Sequence, residues 1–347
     1  MSKNAIPSSR AAKATIRLLG EKIAPPFYLK VRTMYPDPKS VTRITTIGAG
    51  PIGGGWAAHF LARGYDVTAY IHSDAEVPAL MSVINTGWIS LMALGLAPGA
   101  SRDRLRITTD LADAVREAQF IQESAPERLD IKQALYQRLG ELAPETCVIA
   151  SSTSGLTMSQ IQANCMTPQR TVIGHPFNPP YLLPLVEVVG GKGTDPAAVA
   201  WAVEFYQIAG KAPLAMKKEI PGFVATRLQE ALWREALHMV ANGEATPADI
   251  DNALMNGPAT RMAVQGQCMA FHVACGEGGM ATNLDQFGPA LKWPWTRLEA
   301  PELTQDLRDR MVDGCNEIAA GRHFEDLAAT RDREIVAVLN AIREARR

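Results

Sequence analysis

With 347 residues, 47% apolar and 20% charged, the chain has room for two domains with sizeable cores. A net charge of −1 gives no global field toward nucleic acid or an anionic membrane, and neither is expected as a partner. Five cysteines, at 147, 165, 268, 275 and 315, are odd in number and lack CxxC spacing, which points to reduced thiols in a cytoplasmic protein rather than a disulfide frame or a zinc site.

Residues 1–40 hold eight Lys or Arg against two acids, Glu21 and Asp37, with prolines at 7, 25, 26, 36 and 38. They lack the continuous apolar segment of a secretory signal. They read as a poorly ordered basic extension; a targeting segment, a tail and residues upstream of the true start are all open. No apolar run of about eighteen residues is read along the chain, so no membrane span is expected.

From Thr42 the pattern is strand, glycine turn, helix, strand. Ile44-Thr45-Thr46-Ile47 is β-branched throughout, as in a buried parallel strand. Gly48-Ala49-Gly50-Pro51-Ile52-Gly53 follows and fits GxGxxG, with a helix through Trp56–Arg63 closed by Gly64 and a second strand at Val67–Ile71. The three glycines serve a tight turn, close approach to a pyrophosphate, and helix–strand packing. The helix N-terminus offers free N–H groups to phosphate. Dinucleotide binding is expected through Gly48, Gly50, Pro51, Ile52 and Gly53. The acid that holds the adenine ribose should close the second strand, but Ile71 stands there and the first acid is Asp74. No arginine favours a 2′-phosphate, so NAD is preferred to NADP.

The alternation continues with helices at Leu111–Ala118 and Arg128–Leu142 and strands at Phe120–Glu123 and Val148–Ala150. Two further strands, Thr171–Ile173 and Leu185–Val189, flank Gly174-His175-Pro176-Phe177-Asn178-Pro179. Glu187 sits inside the second, otherwise apolar run, where a carboxylate is costly to bury without a partner. His175 is the candidate partner, as a general base held by a carboxylate; a satisfied core histidine with a strand-end glutamate is the alternative. Ser154, His175 and the glycine turn would share the carboxyl edge of the sheet, where ligands of open α/β folds bind.

After a helix from Pro196 to Ala209 the chain reads as helices only: Phe223–Val240, Pro247–Met255, Leu303–Ile318 and Phe324 to about Arg343. Phe223, Leu228, Leu232, Ala236 and Met239 recur at helical spacing. The expected organisation is an extension over 1–40, a Rossmann-like NAD-binding domain with a mostly parallel sheet over 41–220, and an all-helical domain over 221–347.

The glycine turn, Glu123 to Lys132, Ser151 to Leu156, His175 to Pro179, Leu185 to Val189 and Gly222-Phe223-Val224 together resemble the 3-hydroxyacyl-CoA dehydrogenase family, over nearly all of the chain from Arg43. Four segments, including Phe287-Gly288-Pro289-Ala290-Leu291-Lys292-Trp293-Pro294-Trp295-Thr296, look most like the branch of that family that oxidises L-carnitine. The resemblance implies a homodimer formed through the helical domain, with His175 as catalytic base, Glu187 as its partner, Ser154 as donor to the reacting oxygen and Asn178 beside the base. It also implies that Glu127 and Lys132 lie near the nicotinamide end of the cofactor. Thr226 stands where the family carries Asn or Asp, and Pro221 replaces a frequent Asp. The reaction implied is NAD-dependent oxidation of a small 3-hydroxy acid to the 3-keto acid, with L-carnitine first. A short 3-hydroxyacyl-CoA, another free 3-hydroxy acid such as L-gulonate, and a non-catalytic cofactor-binding protein of crystallin type are the alternatives. Tyr181, Trp233, Phe271, Trp293 and Trp295 are aromatic candidates to face a trimethylammonium group; core or dimer packing is the alternative for each.

Overall fold

The computed structural model describes residues 34–345 except 264, 265, 276, 278, 298, 300, 301 and 303. Most of the basic extension and the expected helix start at Leu303 therefore lie outside the described residues. Among these, eight strands form one sheet: β1 (Arg43–Ile47), β2 (Asp66–Tyr70), β3 (Leu105–Thr108), β4 (Phe120–Glu123), β5 (Val148–Ser151), β6 (Thr171–Pro176), β7 (Leu185–Gly190) and β8 (Ala212–Ala215). Their order is β3-β2-β1-β4-β5-β6-β7-β8. Only β6 and β7 pair antiparallel; the other neighbours are parallel.

Six helices belong to this part: α1 (Pro51–Ala62), α2 (Val77–Leu94), α3 (Leu111–Val115), α4 (Leu129–Leu142), α5 (Met158–Ile161) and α6 (Pro196–Ile208). Successive strand residues enter opposite layers. Phe120, Val148, Ala150, Val172 and Val188 join the core under α1, α2 and α6, and Ile121, Ile149, Ile173 and Val189 join the core under α3, α4 and α5. Burial on both faces is why these strands read as largely apolar runs rather than as alternating ones.

Three expectations are corrected here. Val77–Leu94 contains no charged residue, and this helix, with a mean hydropathy of 1.5, is long and apolar enough to cross a membrane by length and composition. In the fold Leu80, Ile84, Trp88 and Leu91 are buried on it, so close to α1 that a Cβ on Gly54 would lie 2.9 Å from Val83 Cβ. Its scattered Ser, Asn and Thr had hidden the run. Strands β3 and β8 were unforeseen because both are short edges, and Pro213 in β8 is tolerated only at such an edge. The extension also ends before residue 40: Tyr35 is buried and donates its hydroxyl to Gln169 O (3.2 Å), while Trp201 Nε1 donates to Pro36 O (2.6 Å).

The remainder is helical: α7 (Ala225–Ala241), α8 (Pro247–Asn256), α9 (Pro258–Met262), α10 (Gln267–Ala274), α11 (Gly279–Phe287), α12 (Gln305–Ala319) and α13 (Phe324–Ala345). The entry into α7 is a left-handed pair, Gly222 (φ 71°) and Phe223 (φ 50°), with the Phe223 ring buried in the second core. At the far end α13 returns to the first domain. Ile335 and Val336 pack on its core, Asp332 accepts from the Tyr181 hydroxyl (2.6 Å), and Arg343 donates to Leu94 O (3.1 Å).

Candidate active site

The glycine turn sits between β1 and β4, where the strand order reverses, the usual place for a ligand crevice. Gly48 has φ 109°, and a Cβ there would lie 2.6 Å from Ser124 O. A Cβ on Gly53 would lie 2.1 Å from Gly48 O, so α1 can start this close to the strand only without one. Gly50, by contrast, has nothing within 4 Å of its Cβ position, and Pro51 occupies the first turn of the helix. Open space above a free helix N-terminus is what a pyrophosphate requires, so these residues fit a dinucleotide. Ile71 is wholly buried just past β2 and cannot meet a ribose, whereas Asp74 is exposed in the turn that follows.

Beside the turn is a cavity of about 190 Å³, lined by Ile52, Ser124, Glu127, Lys132, Ser152 and Ser154. A larger one, about 390 Å³, lies at the amino ends of the strands, where Arg43, Arg104, Arg106 and Arg116 are paired with Glu117, Asp66 and Asp113. Its charges are compensated and it lies at the opposite ends of the strands, so the smaller cavity is the one that belongs to the crevice.

Glu127 organises the serine loop: Oε1 accepts from Thr153 Oγ1, from Ser154 N (3.1 Å) and from Gly155 N (3.2 Å). Lys132 is only 1% exposed, and its ammonium binds Glu123 Oε1 (2.6 Å) and Ala125 O (3.1 Å), with Glu127 Oε2 at 3.7 Å. It therefore positions Glu127 from within the protein rather than reaching out as a ligand. Glu123, wholly buried, takes its remaining bonds from Ala125 N (2.6 Å) and Ser151 Oγ (2.6 Å).

The antiparallel register sets His175 directly opposite Glu187. Nδ1 and Glu187 Oε2 are 2.9 Å apart, with His175 6% exposed and Glu187 wholly buried. A carboxylate can only accept, so Nδ1 carries the hydrogen and Nε2 presents its lone pair. Glu187 Oε1 accepts from Val224 N and Ala225 N, both at 2.8 Å, from the first turn of α7. Burial raises the pKa of this carboxyl, but the bonds from His175, Ala225 and Val224 outweigh it and hold the group below its ordinary 4.5. Phe177 and Phe223 flank the imidazole, with ring centroids 5.2 and 5.3 Å away.

Sequence reasoning missed the part played by the α7 amides and the Phe223 ring, for which Gly222 was the one visible signal. The two expected groupings form separately, His175 with Glu187 and Ser154 with Glu127. No hydrogen bond joins the Ser154 hydroxyl to His175 among the described residues. Ser154 and Asn178 are exposed, Asn178 just beyond β6, and Thr226 lies half-buried in the first turn of α7. Of the aromatic candidates Tyr181 is buried against Asp332, while Trp233, Phe271, Trp293 and Trp295 are exposed. A base with a fixed tautomer, next to a dinucleotide crevice, can take a proton from a hydroxyl as the cofactor oxidises its carbon.

The family models for the 3-hydroxyacyl-CoA dehydrogenase NAD binding domain and C-terminal domain match residues 43–220 and 222–313. The chain is 58% identical over 304 residues to the L-carnitine dehydrogenase of Streptomyces griseus, covering 88% of this chain and 91% of that protein. It is 47% identical over 309 residues to the L-carnitine dehydrogenase of Pseudomonas aeruginosa, covering 88% and 96%. Among solved structures it is similar to 5-formyl-3-hydroxy-2-methylpyridine 4-carboxylic acid 5-dehydrogenase, an NAD+ dependent dismutase (TM-score 0.74, 30% identity, 87% of this chain and 99% of that one). It is also similar to FadB2 of M. tuberculosis (TM-score 0.60, 29% identity, 79% and 94%). The chain thus belongs to the 3-hydroxyacyl-CoA dehydrogenase family, NAD-dependent oxidoreductases acting on a CH–OH group.

Proposed function

We propose that the chain oxidises the 3-hydroxyl of L-carnitine to 3-dehydrocarnitine. The observation that carries the chemistry is the buried His175–Glu187 pair with Nε2 left as the base. The substrate is supported by the identity to L-carnitine dehydrogenases along most of both chains.

His175 Nε2 accepts the proton of the substrate hydroxyl. Glu187 keeps the imidazole in that tautomer and balances the imidazolium that forms, while the two α7 amides keep the carboxylate ionised. Ser154 donates to the substrate oxygen, and the low dielectric around the buried pair strengthens these contacts. A bound NAD would supply the acceptor for the hydride of the carbinol carbon. Gly48, Gly50, Pro51, Ile52 and Gly53 would hold its pyrophosphate, and Glu127, positioned by Lys132, its nicotinamide half. Asn178 stands beside the base at the crevice edge.

The test is NADH formation by purified protein with L-carnitine, run beside D-carnitine, L-3-hydroxybutyrate, L-gulonate and 3-hydroxybutyryl-CoA. Turnover with L-carnitine above the others is expected, together with a loss of roughly 10²–10⁴-fold in His175→Ala. Turnover confined to the CoA ester or to gulonate would reassign the substrate, and a fully active His175→Ala would remove the base.

The protein is further proposed to act as a homodimer through the helical domain. Residues 227–234 of α7 are exposed in succession, including Leu228, Leu232 and Trp233 at 65, 51 and 47%. Apolar surface of that extent on one helix favours coverage by a second copy.

A further inference from the structure

Apart from the histidine pair, a second buried chain of hydrogen bonds runs from the core to the cavity beside the glycine turn. Tyr206 on α6 donates its hydroxyl to Gln122 Oε1 (2.5 Å), both residues being wholly buried. Gln122 Nε2 donates to Gly174 O (3.1 Å) and to Ser152 Oγ (2.8 Å). Ser152 Oγ is 2.9 Å from Ser124 Oγ, and both serines line the cavity.

The polarity of this chain follows from its fixed ends. The Gly174 carbonyl can only accept, so the nitrogen of the Gln122 amide must face it. At the other end burial pushes the Tyr206 hydroxyl well above 10, so it stays protonated and donates to the amide oxygen. Gln122 thus donates to Ser152. A hydroxyl that already accepts is the better donor, so Ser152 passes its hydrogen to Ser124. The hydrogen of Ser124 then has no acceptor among the described residues. The arrangement is tightly packed: a Cβ on Gly174 would lie 1.9 Å from the Tyr206 hydroxyl oxygen.

Ser124 directly follows β4, beside Gly48, at the point where β1 and β4 diverge. We propose that Ser124 is a cofactor-recognition residue, its hydroxyl an oriented donor to an acceptor oxygen on the nicotinamide half of the dinucleotide, aimed by the Tyr206–Gln122–Ser152 chain. The proposal rests on the cofactor site described above and not on which hydroxy acid is oxidised.

The experiment is direct titration with NADH, without substrate, by ligand fluorescence or calorimetry, with ADP as a probe of the adenine half alone. Ser124→Ala is expected to weaken NADH roughly fivefold, the scale of one neutral hydrogen bond, and to leave ADP binding and the melting temperature unchanged. Ser152→Ala keeps the donor but not its aim, and is expected to weaken NADH by less. The double variant should bind NADH no more weakly than Ser124→Ala, since Ser152 acts through Ser124. Wild-type NADH affinity in Ser124→Ala would overturn the proposal, as would equal losses for ADP and NADH. Additive losses in the double variant would overturn the relay. None of these outcomes depends on turnover, so an error in the proposed substrate would leave the test intact.

Discussion

Glu187 serves two partners at once, with one oxygen on His175 and the other on two backbone amides of α7. Replacement by glutamine keeps the size and the amide contacts to Oε1 but turns an NH₂ toward Nδ1. The imidazole must then accept there and carry its hydrogen on Nε2, so the base is lost. Turnover in Glu187→Gln should fall by roughly 10²–10⁴-fold, while NADH affinity stays near wild type. Acid stability should change as well. The folded carboxyl lies below 4.5, so its stabilising contribution is complete above that pH and is lost as pH falls through the folded value. Urea melts from pH 6 down to 3 (a range of about three units across that window) should show the wild type losing more stability than Glu187→Gln. Both residues were legible in the sequence, because a carboxylate within an apolar strand demands an explanation. The amides that complete the arrangement were not, since backbone N–H groups carry no residue signature and their direction depends on the left-handed turn at Phe223.

Between the first strand and helix the glycines divide the work in a way that separates stability from binding. Gly50 has an ordinary φ of −73° and open space around its Cβ position. Gly50→Ala should leave the melting curve within about 0.5 kcal/mol of wild type, as expected for a surface change, yet weaken NADH because the methyl enters the pyrophosphate space. In Gly53→Ala the methyl would stand 2.1 Å from a backbone carbonyl that cannot move without shifting β1 or α1. A loss of about 1–3 kcal/mol, the usual scale of overpacking, is expected there together with weaker NADH. Equal melting temperatures for the two variants would count against this division. Elements were legible where periodicity and punctuation agreed, as in the strand, glycine turn and helix of this unit. They were hidden where an element takes its stability from its neighbours: α2 lacks a charged face, and β3 and β8 are short edges completed by the sheet.

At the scale of the molecule, the helical domain bears on the site in two ways, through the α7 amides on Glu187 and through α13, whose Asp332 binds Tyr181 in the middle of the loop that follows β6. The division into a sheet domain and a helical one was readable from the run of helices beyond residue 220. These cross-domain contacts were not, because they join residues up to 151 positions apart. The exposed stretch of α7 adjoins the same amides, so a second copy covering it would also brace the carboxylate. Leu228→Glu combined with Leu232→Glu places like charges on that stretch while leaving the buried Ala236 and Val240 face untouched. Sedimentation should then give the mass of a single 37.5 kDa chain where the wild type gives twice that. If the dimer holds α7 in place, the dissociated variant should lose turnover out of proportion to NADH affinity, because the glycine turn lies on the other domain. A variant of single-chain mass with wild-type turnover would show that α7 holds Glu187 without a partner, and a wild type of single-chain mass would remove the dimer altogether.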